Sequence, residues 1–138
     1  MITVDASVWT SVFELKDCFH ADSVTFLRHC ERRGIRICSP WLTILETGCA
    51  LARRSRDGAK VMAAVSDLRA IPTLRLLELD NAMLNTSLEH GTRFFLRGAD
   101  AIYAATARIT RTQLITWDQE LIERAGGITP TEWLDKQK

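Results

Sequence analysis

Long apolar runs, paired cysteines and an excess of either charge are all absent from this sequence. No apolar segment reaches the roughly 18 to 20 residues that cross a bilayer, and segment 1–5 has no basic residue before its acid, Asp5. We therefore expect no membrane span, no signal peptide and a cytoplasmic location. The four cysteines show no two-residue spacing of the zinc-knuckle or redox type. The formal net charge of +1 excludes a strong overall field.

The remaining composition is that of an ordinary globular protein. The 138 residues are 46% hydrophobic and 25% charged, which predicts one domain over 1–138 with its own core. Arginine far outnumbers lysine and occurs in clusters. A guanidinium group can bind phosphate through two parallel hydrogen bonds, although arginines on outer helix faces are often merely solvated.

Short apolar strands alternate with helical patterns along the chain. Strands are predicted at 2–4, 35–38, 74–79 and 113–116, with a brief edge strand at 128–129. Helices are predicted at 7–15, 22–34, 39–56, 59–70, 81–90, 98–111 and 119–125. The third begins with Ser39 as N-cap and Pro40 at N1, and Gly91 closes the fifth. This alternation predicts an α/β fold whose mostly parallel sheet is covered by helices on both sides.

Four acidic residues stand in core-forming segments, where lone carboxylates are rare. Asp5 and Asp118 each end an apolar strand, and Asp100 opens an alanine-rich helix. The carboxyl ends of parallel strands share one edge of the sheet, which helix N-termini usually face as well. Glu46 interrupts the apolar third helix and could lean over this edge. The sequence therefore predicts one shared acidic pocket.

Such a pocket requires a cation. Two carboxylates about 5 Å apart repel by about 3 kcal/mol at an effective dielectric of about 20, so without a cation one or more would bind a proton. Oxygen ligands select Mg²⁺ or Mn²⁺, which at neutral pH most often serve phosphate chemistry. A polynucleotide would also need basic residues at the rim of the pocket. The candidates near the acids in sequence are Arg93, Arg97, Arg53 and Arg54.

Four segments, Val4–Val8, Leu45–Gly48, Leu96–Ala107 and Ile115–Asp118, resemble the PIN domains. Within that family, they are most similar to the toxin ribonucleases of bacterial VapBC-type toxin–antitoxin pairs. The resemblance implies a three-layer α/β/α sandwich with a central sheet of four to five strands. It also implies a Mg²⁺- or Mn²⁺-dependent endoribonuclease that hydrolyses RNA phosphodiester bonds by metal-activated water. The implied partners are RNA, a second copy in a homodimer and an antitoxin whose tail occupies the acidic groove.

The resemblance also assigns roles to individual residues. It makes Asp5, Glu46, Asp100 and Asp118 the catalytic acids, and Asp5, Asp100 and Asp118 the metal ligands. The supporting residues are Ser7 and Thr116, whose hydroxyl groups orient the acids. Glu120 is either a fifth acid near the metal or a solvated residue at a helix start.

Two other functions remain open from the sequence alone. A phosphotransfer protein on a similar sheet needs a second acid at position 7, where Ser7 stands, or a lysine late in the chain. The only lysines after Lys60 are Lys136 and Lys138, in the tail. A non-catalytic PIN-like module that binds RNA or protein is the other alternative, and the intact set of four acids argues against it.

Overall fold

The computed structural model describes all 138 residues as an α/β fold. Its strands are β1 (Ile2–Val4), β2 (Ile37–Pro40), β3 (Leu74–Leu77) and β4 (Gln113–Ile115). Its helices are α1 (Ala6–Phe13), α2 (His20–Arg32), α3 (Leu42–Ser55), α4 (Gly58–Arg69), α5 (Asn81–Phe94), α6 (Gly98–Thr110), α7 (Gln119–Ala125) and α8 (Pro130–Asp135). No helix has both the length and the apolar character needed to span a membrane.

The four strands form one fully parallel sheet in the order β3-β2-β1-β4. A single parallel bridge between Ile115 and Ile128 extends it by one position beyond β4. The chain leaves β1 toward β2, on one side of β1 in the sheet. It leaves β4 toward the bridge at Ile128, which lies on the opposite side. The gap beyond the ends of β1 and β4 is therefore the topological switch point, where open sheets bind ligands.

Helices cover both faces of the sheet. One face packs Ile2 and Ile115 against Phe26 of α2 and Trp133 of α8. On the other face, Leu114 packs with side chains of α6 and α7, namely Tyr103, Ala107 and Leu121. The alternation of strand side chains between two helical layers confirms the predicted three-layer α/β/α sandwich.

The predicted start of the third helix is wrong. Ser39 and Pro40 belong to β2, where they pair with Leu76 and Leu77 of β3, and α3 begins only at Leu42. The Ser39 hydroxyl donates to the backbone oxygen of Val4 at 2.6 Å instead of capping a helix. Long-range strand pairing thus overrides a favourable local cap signal.

The predicted end of the fifth helix is also wrong, because α5 continues through Gly91 to Phe94. A Cβ atom at position 91 would lie 3.2 Å from the Cβ of Ala101. Gly91 therefore allows α5 to approach α6 closely, and the left-handed residue that ends the helix is Phe95, with φ of 55°.

Two other helices depart from the prediction, one at its start and one in being absent from it. Helix α2 begins at His20, before the predicted start at residue 22, and Ser23 is buried within it. Helix α8 was not predicted, although Thr129 and Glu132 form a reciprocal capping box with Pro130 at the helix start. This Thr-Pro-Thr-Glu signal is visible in the sequence.

Candidate active site

The four predicted acids, Asp5, Glu46, Asp100 and Asp118, line one pocket of about 650 Å³. It lies at the switch point, where Asp5 follows β1 and Asp118 follows β4. Asp100 reaches it from the first turn of α6 and Glu46 from the second turn of α3. The structure thus brings together carboxylates that are far apart in the sequence.

Asp5 is the most buried of these acids and is held by three hydrogen bonds. The backbone N–H of Ser7 donates to its Oδ1 at 3.2 Å, so that Asp5 caps α1. The hydroxyl groups of Ser7, at 2.7 Å, and of Thr116 both donate to its Oδ2. Burial raises the pKa of Asp5 to about 6, although these hydrogen bonds act in the opposite direction.

The two hydroxyl groups also fix the loop that follows β4. The backbone N–H of Trp117 donates to the Ser7 hydroxyl at 3.0 Å, and that of Asp118 donates to the Thr116 hydroxyl at 2.9 Å. Because a hydroxyl group carries one proton, accepting from these N–H groups directs each proton to Asp5. Ser7 and Thr116 therefore couple the position of Asp5 to that of Asp118.

Glu46 is held by Tyr103, which was not among the candidate site residues predicted from the sequence. The buried Tyr103 donates its hydroxyl proton to Oε2 of Glu46 at 2.7 Å and accepts from Thr43 at 3.2 Å. Burial raises the pKa of Tyr103 well above its ordinary value, so this hydroxyl stays a donor. Burial also raises the pKa of Glu46. The signal in the sequence is the position of Tyr103 on the same face of α6 as Asp100, three residues later.

Arg97 lies among the remaining acids of the site. Its Nε is 2.8 Å from Oδ2 of Asp100 and 3.5 Å from Oε2 of Glu120, while its Nη2 is 3.2 Å from Oδ2 of Asp118. The hydrogen bond with Asp100 is the main cause of the raised pKa of Arg97. Burial is the main cause of the raised pKa of Asp100, and Arg97 opposes it. One guanidinium group thus bridges three carboxylates.

The other predicted site residues occupy different positions. Arg53 and Arg54 line the acidic pocket, and Arg54 is paired with Asp17 at 2.8 Å. Glu120 lies beside the pocket, between Arg97 and Arg124. Arg93 does not line this pocket and instead faces a second groove.

The donor chemistry of the pocket suits a divalent cation. Its acidic groups are all carboxylates, the ligands that Mg²⁺ and Mn²⁺ prefer. A cationic group, the guanidinium of Arg97, already bridges Asp100 and Asp118. In this arrangement no group of three acidic, histidine or cysteine side chains is close enough to hold a metal ion. The chemistry of the donor groups therefore suits a divalent cation, whereas their present spacing, with Arg97 between Asp100 and Asp118, does not form a metal site.

Solved structures of similar fold include several toxins. VapC20 from Mycobacterium tuberculosis, a toxin that cleaves the sarcin–ricin loop, matches with a TM-score of 0.79 and 19% identity over 93% of this chain and 97% of that one. PAE2754 from Pyrobaculum aerophilum matches with a TM-score of 0.72 and 24% identity over 98% of this chain and 93% of that one. A toxin–antitoxin complex from Klebsiella pneumoniae matches with a TM-score of 0.68 and 18% identity over 94% of this chain and 98% of that one.

Comparison with curated protein sequences finds no match. Comparison with protein families finds the PIN domain, which matches residues 2–127. This match confirms the resemblance that four short segments indicated. Since the matched region spans nearly the whole sequence, the chain belongs to the PIN domain family.

Proposed function

We propose that this protein is a Mg²⁺- or Mn²⁺-dependent endoribonuclease and the toxin of a toxin–antitoxin pair. The observation that carries the proposal is the convergence of four carboxylates on one pocket at the switch point of a PIN fold. Structural relatives that are toxins, including one that cleaves the sarcin–ricin loop, support the choice of RNA as substrate.

In this proposal Asp5, Asp100 and Asp118 would hold the metal ion. When bound, the ion activates a water molecule and neutralises the negative charge that develops on the phosphodiester. Ser7 and Thr116 keep the carboxylate of Asp5 in one orientation, because both donate to the same oxygen atom. Such fixed ligands lose little freedom when they bind a cation.

Glu46 is the proposed acceptor of a proton from the attacking water. Tyr103 occupies Oε2 of Glu46, and Oε1 has no hydrogen-bond partner in the protein. A raised pKa makes this carboxylate a better base at neutral pH than an ordinary glutamate. Tyr103 acts as a positioning residue that aims the free oxygen of Glu46 into the pocket.

Arg97 has two proposed roles in succession. In the free protein it balances the charge of Asp100 and Asp118. If a cation balanced these two acids instead, the guanidinium group of Arg97 would be free to contact phosphate in the pocket that Arg53 and Arg54 also line. There these arginines provide phosphate contacts that offset the remaining negative charge of the pocket.

The proposed partners follow from the same assignment. We expect a cognate antitoxin whose tail covers the acidic pocket, a homodimer in solution and a cytoplasmic location. A small gene adjacent to this one, encoding a DNA-binding protein, would support the toxin assignment. Size-exclusion chromatography with light scattering tests the dimer, and a monomer at micromolar concentration would contradict it.

RNA cleavage tests the proposal directly. The wild-type protein should cleave RNA in Mg²⁺ or Mn²⁺, leave 5′-phosphate and 3′-hydroxyl ends, and stop in EDTA. Asp5→Asn and Asp100→Asn should each abolish cleavage. Asp67→Asn is the matched control, because Asp67 is an exposed acid on α4, outside the pocket, and should keep wild-type activity. Cleavage that persists in EDTA would contradict the proposal.

One observation favours a second candidate, a non-catalytic RNA- or protein-binding module. The carboxylates are not drawn together around a metal-sized position, and Arg97 already balances two of them. A permanently paired Arg97 would make the pocket a structural salt-bridge cluster. Calorimetry that detects no binding of millimolar Mg²⁺ or Mn²⁺ would support this candidate over the nuclease.

A further inference from the structure

A second groove of about 780 Å³ lies between α5, α6, α7 and the start of β4. Four arginines from three helices and their ends line it: Arg93, Arg108, Arg111 and Arg124. Glu89 is the only acidic residue in its lining. We name this surface the arginine groove, and it has a strong local excess of positive charge on a chain whose net charge is only +1.

The positive charge of the arginine groove is largely uncompensated. Arg93, Arg108 and Arg111 are exposed and form no ion pair with a carboxylate, whereas Arg124 pairs with Glu120 at 2.7 Å. Arg108 and Arg93 both contribute to the lowered pKa of His90, whose main cause is burial, and Glu89 opposes the shift. Arg93 on α5 and Arg108 on α6 are therefore both close enough to His90 to lower its pKa.

The arginine groove adjoins the acidic pocket. Arg124 donates to the backbone oxygen of Phe95 at 2.7 Å and to Glu120, and Glu120 lies 3.5 Å from Arg97. Helix α6 also connects the two sites, with Asp100 in its first turn and Arg108 in its last. At about 1.5 Å per residue these positions are about 12 Å apart along the helix axis. The two sites are therefore neighbours on the surface, separated by Arg97, Glu120 and Arg124.

We propose that the arginine groove binds the phosphate backbone of RNA a few nucleotides away from the bond that the acidic pocket cleaves. Exposed guanidinium groups without carboxylate partners are suited to bidentate phosphate contacts. A polyanion with regularly repeated charges can meet several of them at once. RNA is favoured over an acidic protein segment because the groove lies next to the pocket, joined to it through Arg124, Glu120 and Arg97. This inference rests on the proposed ribonuclease function.

The test compares two double variants that remove the same charge. Arg93→Gln with Arg108→Gln acts inside the groove. Arg32→Gln with Arg33→Gln acts at the end of α2, on the opposite face of the sheet, on arginines that also have no carboxylate partner. Circular dichroism and thermal melting confirm that both variants fold. Fluorescence anisotropy then measures binding of a labelled single-stranded RNA of mixed sequence, in EDTA and at several salt concentrations.

The groove variant should bind this RNA about ten-fold more weakly than wild type. In a plot of the logarithm of the binding constant against the logarithm of the salt concentration, its slope should be less negative by about 1.4. The α2 variant should bind with nearly wild-type affinity. Equal weakening of both variants would overturn the proposal, because only the overall charge would then matter. Unchanged RNA binding would overturn it as well. If the groove variant loses only binding of polyglutamate, the groove binds acidic protein segments and the proposal is wrong.

The same proteins separate failure of this inference from failure of the proposed function. Binding is measured without divalent metal, so it does not depend on cleavage. Cleavage is measured separately in Mn²⁺, with the wild-type protein. If cleavage is absent while the groove variant still loses RNA binding, the nuclease proposal fails and the groove stands as an RNA site. Cleavage by wild type with normal RNA binding by the groove variant overturns the groove alone.

Discussion

If a divalent cation binds Asp100 and Asp118 as proposed, Arg97 competes with it for these carboxylates, and removal of Arg97 should strengthen metal binding. Its guanidinium lies 2.8 Å from Asp100, 3.2 Å from Asp118 and 3.5 Å from Glu120. In Arg97→Gln these acids lose their internal counter-charge. A divalent cation then no longer has to displace a paired group before it binds Asp100 and Asp118.

The size of this effect follows from the exposure of Arg97. Its side chain is 66% exposed, so solvent screens each of the three contacts. Exposed ion pairs are typically worth about 0.2 to 1 kcal/mol, and the contacts share one side chain. A total of about 1 kcal/mol corresponds to about a five-fold lower dissociation constant for Mn²⁺. Because Arg97 is also a proposed phosphate contact, RNA affinity should decrease in the same variant.

Isothermal titration calorimetry with Mn²⁺ measures the effect on metal binding. Arg54→Gln provides the matched control, because Arg54 also lines the pocket but pairs only with Asp17. Arg54→Gln should change Mn²⁺ affinity by less than about two-fold, since surface charges at this distance are screened. Unchanged or weaker Mn²⁺ binding in Arg97→Gln would show that Arg97 does not occupy the metal position.

Three further predictions concern the acids of the pocket and the groups that hold them. Tyr103→Phe removes the hydroxyl that positions Glu46. In steady-state RNA cleavage, this variant should have a kcat about ten-fold lower than wild type and a nearly unchanged KM. A change in KM with an unchanged kcat would contradict this role. Thr116→Val removes a hydrogen bond to the buried carboxylate of Asp5. Urea denaturation should show that the free energy of unfolding is lower by about 1.5 to 3 kcal/mol. An unchanged free energy of unfolding would mean that this bond is dispensable. The pKa of Asp5 is raised to about 6, above its unfolded value, so the folded state binds the proton more tightly. The free energy of unfolding of the metal-free protein should then decrease as pH rises from about 4 to about 6 and level off above, while Mn²⁺ affinity should increase up to about pH 6; opposite trends in these titrations would contradict the assignment.

The alternation of strands and helices made the layers of the fold predictable from sequence. Local sequence signals indicate these elements strongly. Examples are the apolar strand Ile2–Val4 and Gly126, the left-handed glycine that ends α7. Ser39 and Gly91 were misassigned because their roles depend on distant partners. Ser39 belongs to a strand paired with β3, and Gly91 allows α5 to pack closely on Ala101. Local propensity carries no information about such contacts.

The acidic residues of the site were predictable for a related reason. A carboxylate in an apolar segment is conspicuous, and the topology of a parallel sheet brings strand ends together. The partners of these acids were harder to predict. Tyr103 resembles an ordinary core residue until its hydroxyl is found on Glu46. Arg97 is a rim arginine in the sequence, whereas the structure places it between three carboxylates.

A Mn²⁺ titration of RNA cleavage, run under the same conditions as calorimetry, tests directly whether the acidic pocket is a metal-dependent active site. If the metal ion held by Asp5, Asp100 and Asp118 supports cleavage, the rate should saturate at the dissociation constant that calorimetry measures for wild type. Asp100→Asn should lose the heat of binding and the cleavage together. Cleavage that saturates at an unrelated Mn²⁺ concentration, or continues in EDTA, would contradict this assignment.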